Sequence, residues 1–162
     1  MKVAVLQMVS TPDVAENLRA AQQLVAQASS EGAELLVLPE YFCGMGWRDT
    51  DKLAWAEPLG TGPVQQALGQ MAATHGVWLV AGTVPIRGAD AHKVRNTSLL
   101  YDPQGRQVAH YDKIHLFRFA TDSERYDETA VIEPGATPVV AAITDRSGQT
   151  WTLGVSVCYD LR

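Results

Sequence analysis

Leu35-Leu36-Val37-Leu38-Pro39-Glu40 is the stretch on which the fold turns. Four apolar residues without alternation, closed by a proline, read as a short strand covered on both faces. Such a strand belongs in a parallel sheet with layers on either side. The residues before it agree. Val3–Val9 is a second strand-like run, and Thr11-Pro12-Asp13 follows as a helix start, with Asp13 and Glu16 spaced as a capping box. Val14, Leu18, Ala21, Val25 and Ala28 recur at four- and three-residue steps, and Gly32 offers a stop. Strand, helix, strand is a βαβ unit, which predicts an α/β fold.

Further along, Tyr41–Gly60 has no clear period and reads as a long loop with a turn of helix; loops of that length tend to be functional. Gly62-Pro63 opens a second helix that carries Val64, Leu68, Met71 and Ala72 on one face and ends at Gly76. Val77–Val84 reads as one strand, and Thr97–Tyr101 and Arg106–Tyr111 as two more around the turn Asp102-Pro103-Gln104-Gly105. Phe117–Pro134 is irregular and charged. Pro138–Thr144 and Trp151–Val157 predict a hairpin around Asp145-Arg146-Ser147-Gly148, with Trp151–Val157 as a buried strand.

Composition limits the classes of function. The chain has 162 residues, 46% hydrophobic and 19% charged, as expected of one globular domain spanning 1–162. The formal net charge of -5 and the absence of a basic patch argue against nucleic acid. The apolar runs are too short to span a membrane, and Met1-Lys2 leads into a strand without the features of a signal peptide. Cys43 and Cys158 do not resemble a disulfide framework or a zinc-ligand set, which fits a reducing cytoplasm.

Three polar groups stand directly behind apolar strands: Glu40, Lys113 and Cys158. Singly, each has an ordinary explanation, a solvated loop acid, a loop lysine and a small core residue. Together they have a chemical logic. A free thiol has a pKa of about 8.5, so its nucleophilic thiolate is scarce at neutral pH. A carboxylate nearby can accept the thiol proton, and an ammonium can favour the thiolate and stabilise an oxyanion.

Leu-Pro-Glu-Tyr at 38–41, Tyr-Asp-Lys-Ile-His-Leu-Phe at 111–117 and Val-Cys-Tyr-Asp-Leu-Arg at 157–162 resemble, in order and spacing, the three signatures of the nitrilase, or carbon–nitrogen hydrolase, superfamily. Gln7 in the opening strand adds to the likeness, which covers essentially the whole chain. The resemblance implies an α-β-β-α sandwich and a hydrolase of small linear amides. It implies Glu40 as general base, Lys113 as oxyanion stabiliser, Cys158 as nucleophile and the Tyr159 backbone N–H as second oxyanion donor. It also implies a further glutamate ahead of a Pro-Gly pair. Glu128, upstream of Pro134-Gly135, has that spacing, with Glu124 and Glu133 as rivals. No metal or organic cofactor is implied, and His115 is expected to pack, not to catalyse.

Cys-Tyr-Asp-Leu-Arg looks most like the branch that contains omega-amidase and deaminated glutathione amidase. Their substrates carry carboxylates, so Arg162 is a candidate contact, although pairing with an acid such as Asp160 competes. An N-carbamoyl amino-acid hydrolase or a nitrilase would use the same residues, and an inactive homologue acting as a binding module is the alternative of another class. The strand-helix-strand opening would also suit a nucleotide-binding domain, but no glycine fingerprint follows the first strand. Relatives continue well past the cysteine and form homodimers. Residues 1–162 are therefore expected to be the N-terminal part of the domain, unable to work alone.

Overall fold

The computed structural model describes residues 1–161; Arg162 lies outside them, and so does its candidate contact with substrate. The βαβ opening is present as β1 (Val3–Val5), α1 (Val14–Ser30) and β2 (Leu35–Val37), with β1 and β2 parallel. Asp13 caps α1 by accepting from Glu16 N at 3.0 Å. The capping box is not reciprocal: the Glu16 carboxylate instead accepts from the Thr11 hydroxyl at 3.0 Å. The hydroxyl oxygen, in turn, accepts from Asp13 N. Strand β1 stops at Val5, short of the expected Val9.

The long loop contains one short helix, α2 (Asp51–Trp55), and Pro63–His75 forms α3 between Gly62 and a left-handed Gly76. The strand expected over Val77–Val84 stops early, as β3 (Trp78–Val80), and a separate strand, β4 (Val84–Arg87), begins at its last residue. Gly82 lies between them in the left-handed region, φ +48°, where a Cβ would collide with the Pro39 carbonyl. Both strands pair antiparallel with β5 (Val94–Tyr101), which pairs on its other side with β6 (Gln107–Asp112). Among the described residues these six strands form the main sheet.

The irregular region holds a small hairpin, β7 (Arg118–Ala120) and β8 (Arg125–Asp127), followed by a 3₁₀ turn, Glu128–Ala130. Last come β9 (Val139–Thr144) and β10 (Thr150–Val155), paired antiparallel as expected, and a 3₁₀ turn over Cys158–Leu161. Strand β10 is not buried: Trp151 is 48% exposed, and Leu153 and Val155 are only half-buried. The reason is that the β9–β10 ribbon turns only one face toward the main sheet.

Alternation explains the layers. Leu36, Leu79, Leu99 and Tyr101 point from the main sheet toward Ala21, Val25, Leu68 and Ala72 of α1 and α3. Their neighbours Leu35, Trp78, Val80 and Leu100 point the other way, toward Ala141, Ile143 and Leu153 of the ribbon. Successive strand residues face opposite sides, so a sheet covered on both needs the unbroken apolar run seen at Leu35–Leu38. Among the described residues, no helix is long and apolar enough to cross a membrane.

Candidate active site

Glu40, Lys113, Glu128 and Cys158 converge at one end of the main sheet. Lys113 follows β6 directly, and its backbone is fixed on both sides: its N–H donates to Asn96 O at 3.0 Å, and its carbonyl accepts from Gly135 N at 2.9 Å. Its side chain is buried, yet its Nζ stands 3.0 Å from Glu40 Oε1 and 3.0 Å from Glu128. A buried ammonium is tolerable only when paired and hydrogen-bonded, and two carboxylates do that here. Burial, the largest influence, works against its charge, but Glu40 and Glu128 outweigh it and raise the pKa above the usual lysine value. Lys113 is therefore held as a cation.

Glu40 lies three residues past β2, on the turn that passes over Gly82. Its Oε1 also accepts from Asn96 Nδ2 at 2.8 Å. The other oxygen, Oε2, has no hydrogen bond to a nitrogen or oxygen among the described residues. Tyr41 has φ +56°, an unusual value for a tyrosine, and is pinned by Thr83 Oγ1 accepting from its N–H at 2.9 Å. That conformation aims its hydroxyl at Glu128 Oε1, 3.2 Å away. Burial and then the Glu128 charge push the phenol pKa up, so it stays a hydrogen-bond donor.

Glu128 is buried and opens the 3₁₀ turn after β8. Its Oε2 accepts from Phe117 N at 2.7 Å, and its own N–H donates to Phe117 O at 3.1 Å. The rivals lie elsewhere. Glu124 is exposed in the β7–β8 turn, and Glu133 pairs with Arg95 at 2.7 Å.

Cys158 sits at φ +50°, just past β10, on the first residue of the last 3₁₀ turn. Its thiol is free and open to solvent. Burial and the Glu40 charge push its pKa up, and the Lys113 ammonium pulls it down. The thiol thus feels both groups, with the proton held on sulfur in the resting state. Cys43 is the opposite case: 2% exposed, with burial raising its pKa to about 12. Tyr159 N–H belongs to the first turn after Cys158, where N–H groups lack helical partners. The Tyr159 ring stands edge-on to Phe117, centroids 5.3 Å apart.

Sequence reasoning missed Asn96, Tyr41 and Thr83 as partners of this cluster. It also missed that His115 Nδ1 lies 3.0 Å from Asp160 Oδ1. These contacts join residues far apart in the chain, and no local pattern signals them. Among the described residues, no group of three or more His, Cys, Asp and Glu is arranged to hold a metal ion.

An exposed thiol beside a buried ammonium and two carboxylates is what the three sequence signatures lead one to expect, and residues 2–162 match the carbon-nitrogen hydrolase family. The chain belongs to the carbon–nitrogen hydrolase family. A deaminated glutathione amidase of Synechocystis sp. is 38% identical over 161 residues, which is 98% of this chain and 57% of that protein. The omega-amidase NIT2 of Danio rerio is 32% identical over 165 residues, 99% of this chain and 55% of that protein. In solved structures the same fold occurs in a mutant of the amidase from Nesterenkonia sp. AN1, which carries acrylamide added at its active site cysteine. That protein is 28% identical with a TM-score of 0.78, over 99% of this chain and 58% of that one. The chain thus has the α/β fold of the nitrilase superfamily and spans about half the length of the curated relatives it matches.

Proposed function

We propose that this site hydrolyses the C–N bond of a small linear amide through a thioester on Cys158. The observation that carries the reading is the buried Lys113 ammonium held by Glu40 and Glu128 beside an exposed thiol. Glu40 takes the thiol proton as Sγ attacks the amide carbonyl carbon. The Lys113 ammonium and the Tyr159 N–H receive the oxyanion. Glu128, itself held by the Tyr41 hydroxyl, holds Lys113, and neither exchanges protons with the substrate. As the C–N bond breaks, Glu40 returns its proton to the departing amine or ammonia, leaving an acyl thioester. Water then gives a proton to Glu40 and attacks the thioester; the acid leaves and sulfur is reprotonated. No metal or organic cofactor takes part.

The related amidases favour omega-amides and deaminated glutathione as the first substrates to test, by analogy with the activities for which those proteins are named. The same reading includes a homodimer in the cytoplasm, in keeping with two free thiols. Light scattering behind size exclusion tests the assembly. For the chemistry, the purified full-length protein that contains residues 1–162 is assayed against omega-amides, N-carbamoyl amino acids and nitriles, beside Cys158→Ala. Amide turnover that vanishes in the folded mutant is expected. Turnover of carbamoyl compounds or nitriles alone would displace the amidase reading, and a folded Cys158→Ala that retains activity would remove the covalent mechanism.

A further inference from the structure

Asp160 is the best-connected side chain near the nucleophile, and the chemistry above makes no use of it. Its carboxylate is 6% exposed. Oδ2 accepts from Tyr111 Oη at 2.7 Å and from Val157 N at 2.9 Å. Oδ1 accepts from His115 N at 2.9 Å and faces His115 Nδ1 at 3.0 Å. The Asp160 N–H closes the turn by donating to Val157 O at 3.1 Å. Val157 directly precedes Cys158, while Tyr111 and His115 stand two residues to either side of Lys113. One carboxylate thus ties the backbone that launches the nucleophile to both flanks of the segment that carries the ammonium. These hydrogen bonds overcome the burial that would raise its pKa and hold it below the usual aspartate value. The charge therefore persists at neutral pH, with the Tyr111 phenol and the His115 ring as the titratable groups facing it.

This arrangement matters because of how Cys158 is held. Its φ of +50° is a region that side-chain-bearing residues avoid, so the turn must be fixed from outside. The β9–β10 ribbon and β6 belong to different layers. Packing alone would leave the turn free to slide relative to Lys113.

We propose that Asp160 is a positioning residue, clamping the Cys158 turn to the Tyr111–His115 segment so that the thiol faces Glu40 and Lys113. The proposal rests on Cys158 being the nucleophile. Asp160→Asn keeps one acceptor oxygen but turns an NH₂ toward the donors on the other side, so half of the clamp is lost. A displacement of about 1 Å can cost on the order of 10² in rate. The pH profile separates positioning from a merely structural role. In the native site burial and Glu40 hold the thiol pKa up, so a thiol that swings away falls back toward an ordinary value.

The test uses the full-length protein that contains residues 1–162 and two readouts: steady-state amide hydrolysis, and the rate of Cys158 alkylation by iodoacetamide as a function of pH. Wild type, Asp160→Asn and the milder Tyr111→Phe are compared, each checked for its fold by circular dichroism. Expected for Asp160→Asn is a fall in kcat on the order of 10²-fold, little change in KM, and an alkylation profile moved to lower pH. Tyr111→Phe should show the same changes to a smaller degree, and it decides the matter should Asp160→Asn not fold. Folded variants with wild-type kcat and an unmoved profile would overturn the clamp. If wild-type activity survives in Cys158→Ala, the nucleophile reading fails first and takes the clamp with it. If Cys158→Ala is dead and both clamp variants are normal, only the clamp fails.

Discussion

Lys113 carries the sharpest predictions at the scale of single residues. On the proposed mechanism it stabilises the oxyanion and also favours the thiolate. Lys113→Met keeps much of the length and removes the charge. Loss of one oxyanion donor typically costs about 10²–10³ in rate, and steady-state hydrolysis should fall by at least that much. A variant within tenfold of wild type would return Lys113 to the rank of an ordinary loop lysine. Glu40 acts on the thiol with the opposite sign. After burial, its charge is the strongest influence raising the Cys158 pKa, whereas Lys113 lowers it. Glu40→Gln removes the carboxylate and leaves the ammonium, so alkylation of Cys158 should begin at lower pH than in wild type even as turnover is lost for want of a base. An alkylation profile that moves upward would mean that Glu40 does not neighbour the thiol. Glu40, Lys113 and Cys158 were legible in the sequence because each follows a strand. Glu128 was legible only as one of three acids, because its selection depends on the β7–β8 hairpin folding back onto Phe117. Asn96 was not singled out, and Asp160 only as a competing partner for Arg162, since their partners here lie 56 and 45 residues away along the chain.

Gly82 links the elements to the site. The expected strand Val77–Val84 ends as β3 at Val80, the chain turns at Gly82 against the Pro39 carbonyl, and β4 starts at Val84. The run Val77–Val84 reads as a single strand because hydrophobic character does not change at the break; what changes is φ, and only the glycine hints at it. Gly82→Ala would combine an unfavourable φ, about 1–2 kcal/mol, with overpacking against the Pro39 carbonyl, about 1–3 kcal/mol. Thermal unfolding should therefore fall by roughly 5–15 °C, since 1 kcal/mol shifts Tm by about 2–4 °C at this size. Activity should drop with it, because Glu40 is the next residue after Pro39. Gly148→Ala is the control: φ is +88°, but nothing lies within 4 Å of its Cβ, so only the conformational part applies. Equal losses in the two variants would show that the close approach to Pro39 is not a constraint. The element pattern was legible where punctuation was local, as at Gly62-Pro63 and Gly76 around α3. It was least legible at β10, whose apolar residues look core-like while its outer face is exposed.

The molecule as a whole divides the chemistry between two layers. Glu40 and Lys113 extend from the main sheet, and Cys158 extends from the β9–β10 ribbon. Leu35 and Leu100 on one layer pack against Ile143 and Leu153 on the other, which joins the two layers, while the Asp160 contacts fix the Cys158 turn against the Lys113 segment. Whether that arrangement produces covalent chemistry is the central claim. The most direct measurement is mass spectrometry of the full-length protein that contains residues 1–162, quenched in acid during turnover of a small primary amide, followed by peptide mapping. The account predicts the substrate's acyl group on the peptide containing Cys158 and none on the peptide containing Cys43, whose buried thiol keeps its proton. Turnover with no adduct at Cys158, or with the acyl group on another residue, would contradict it.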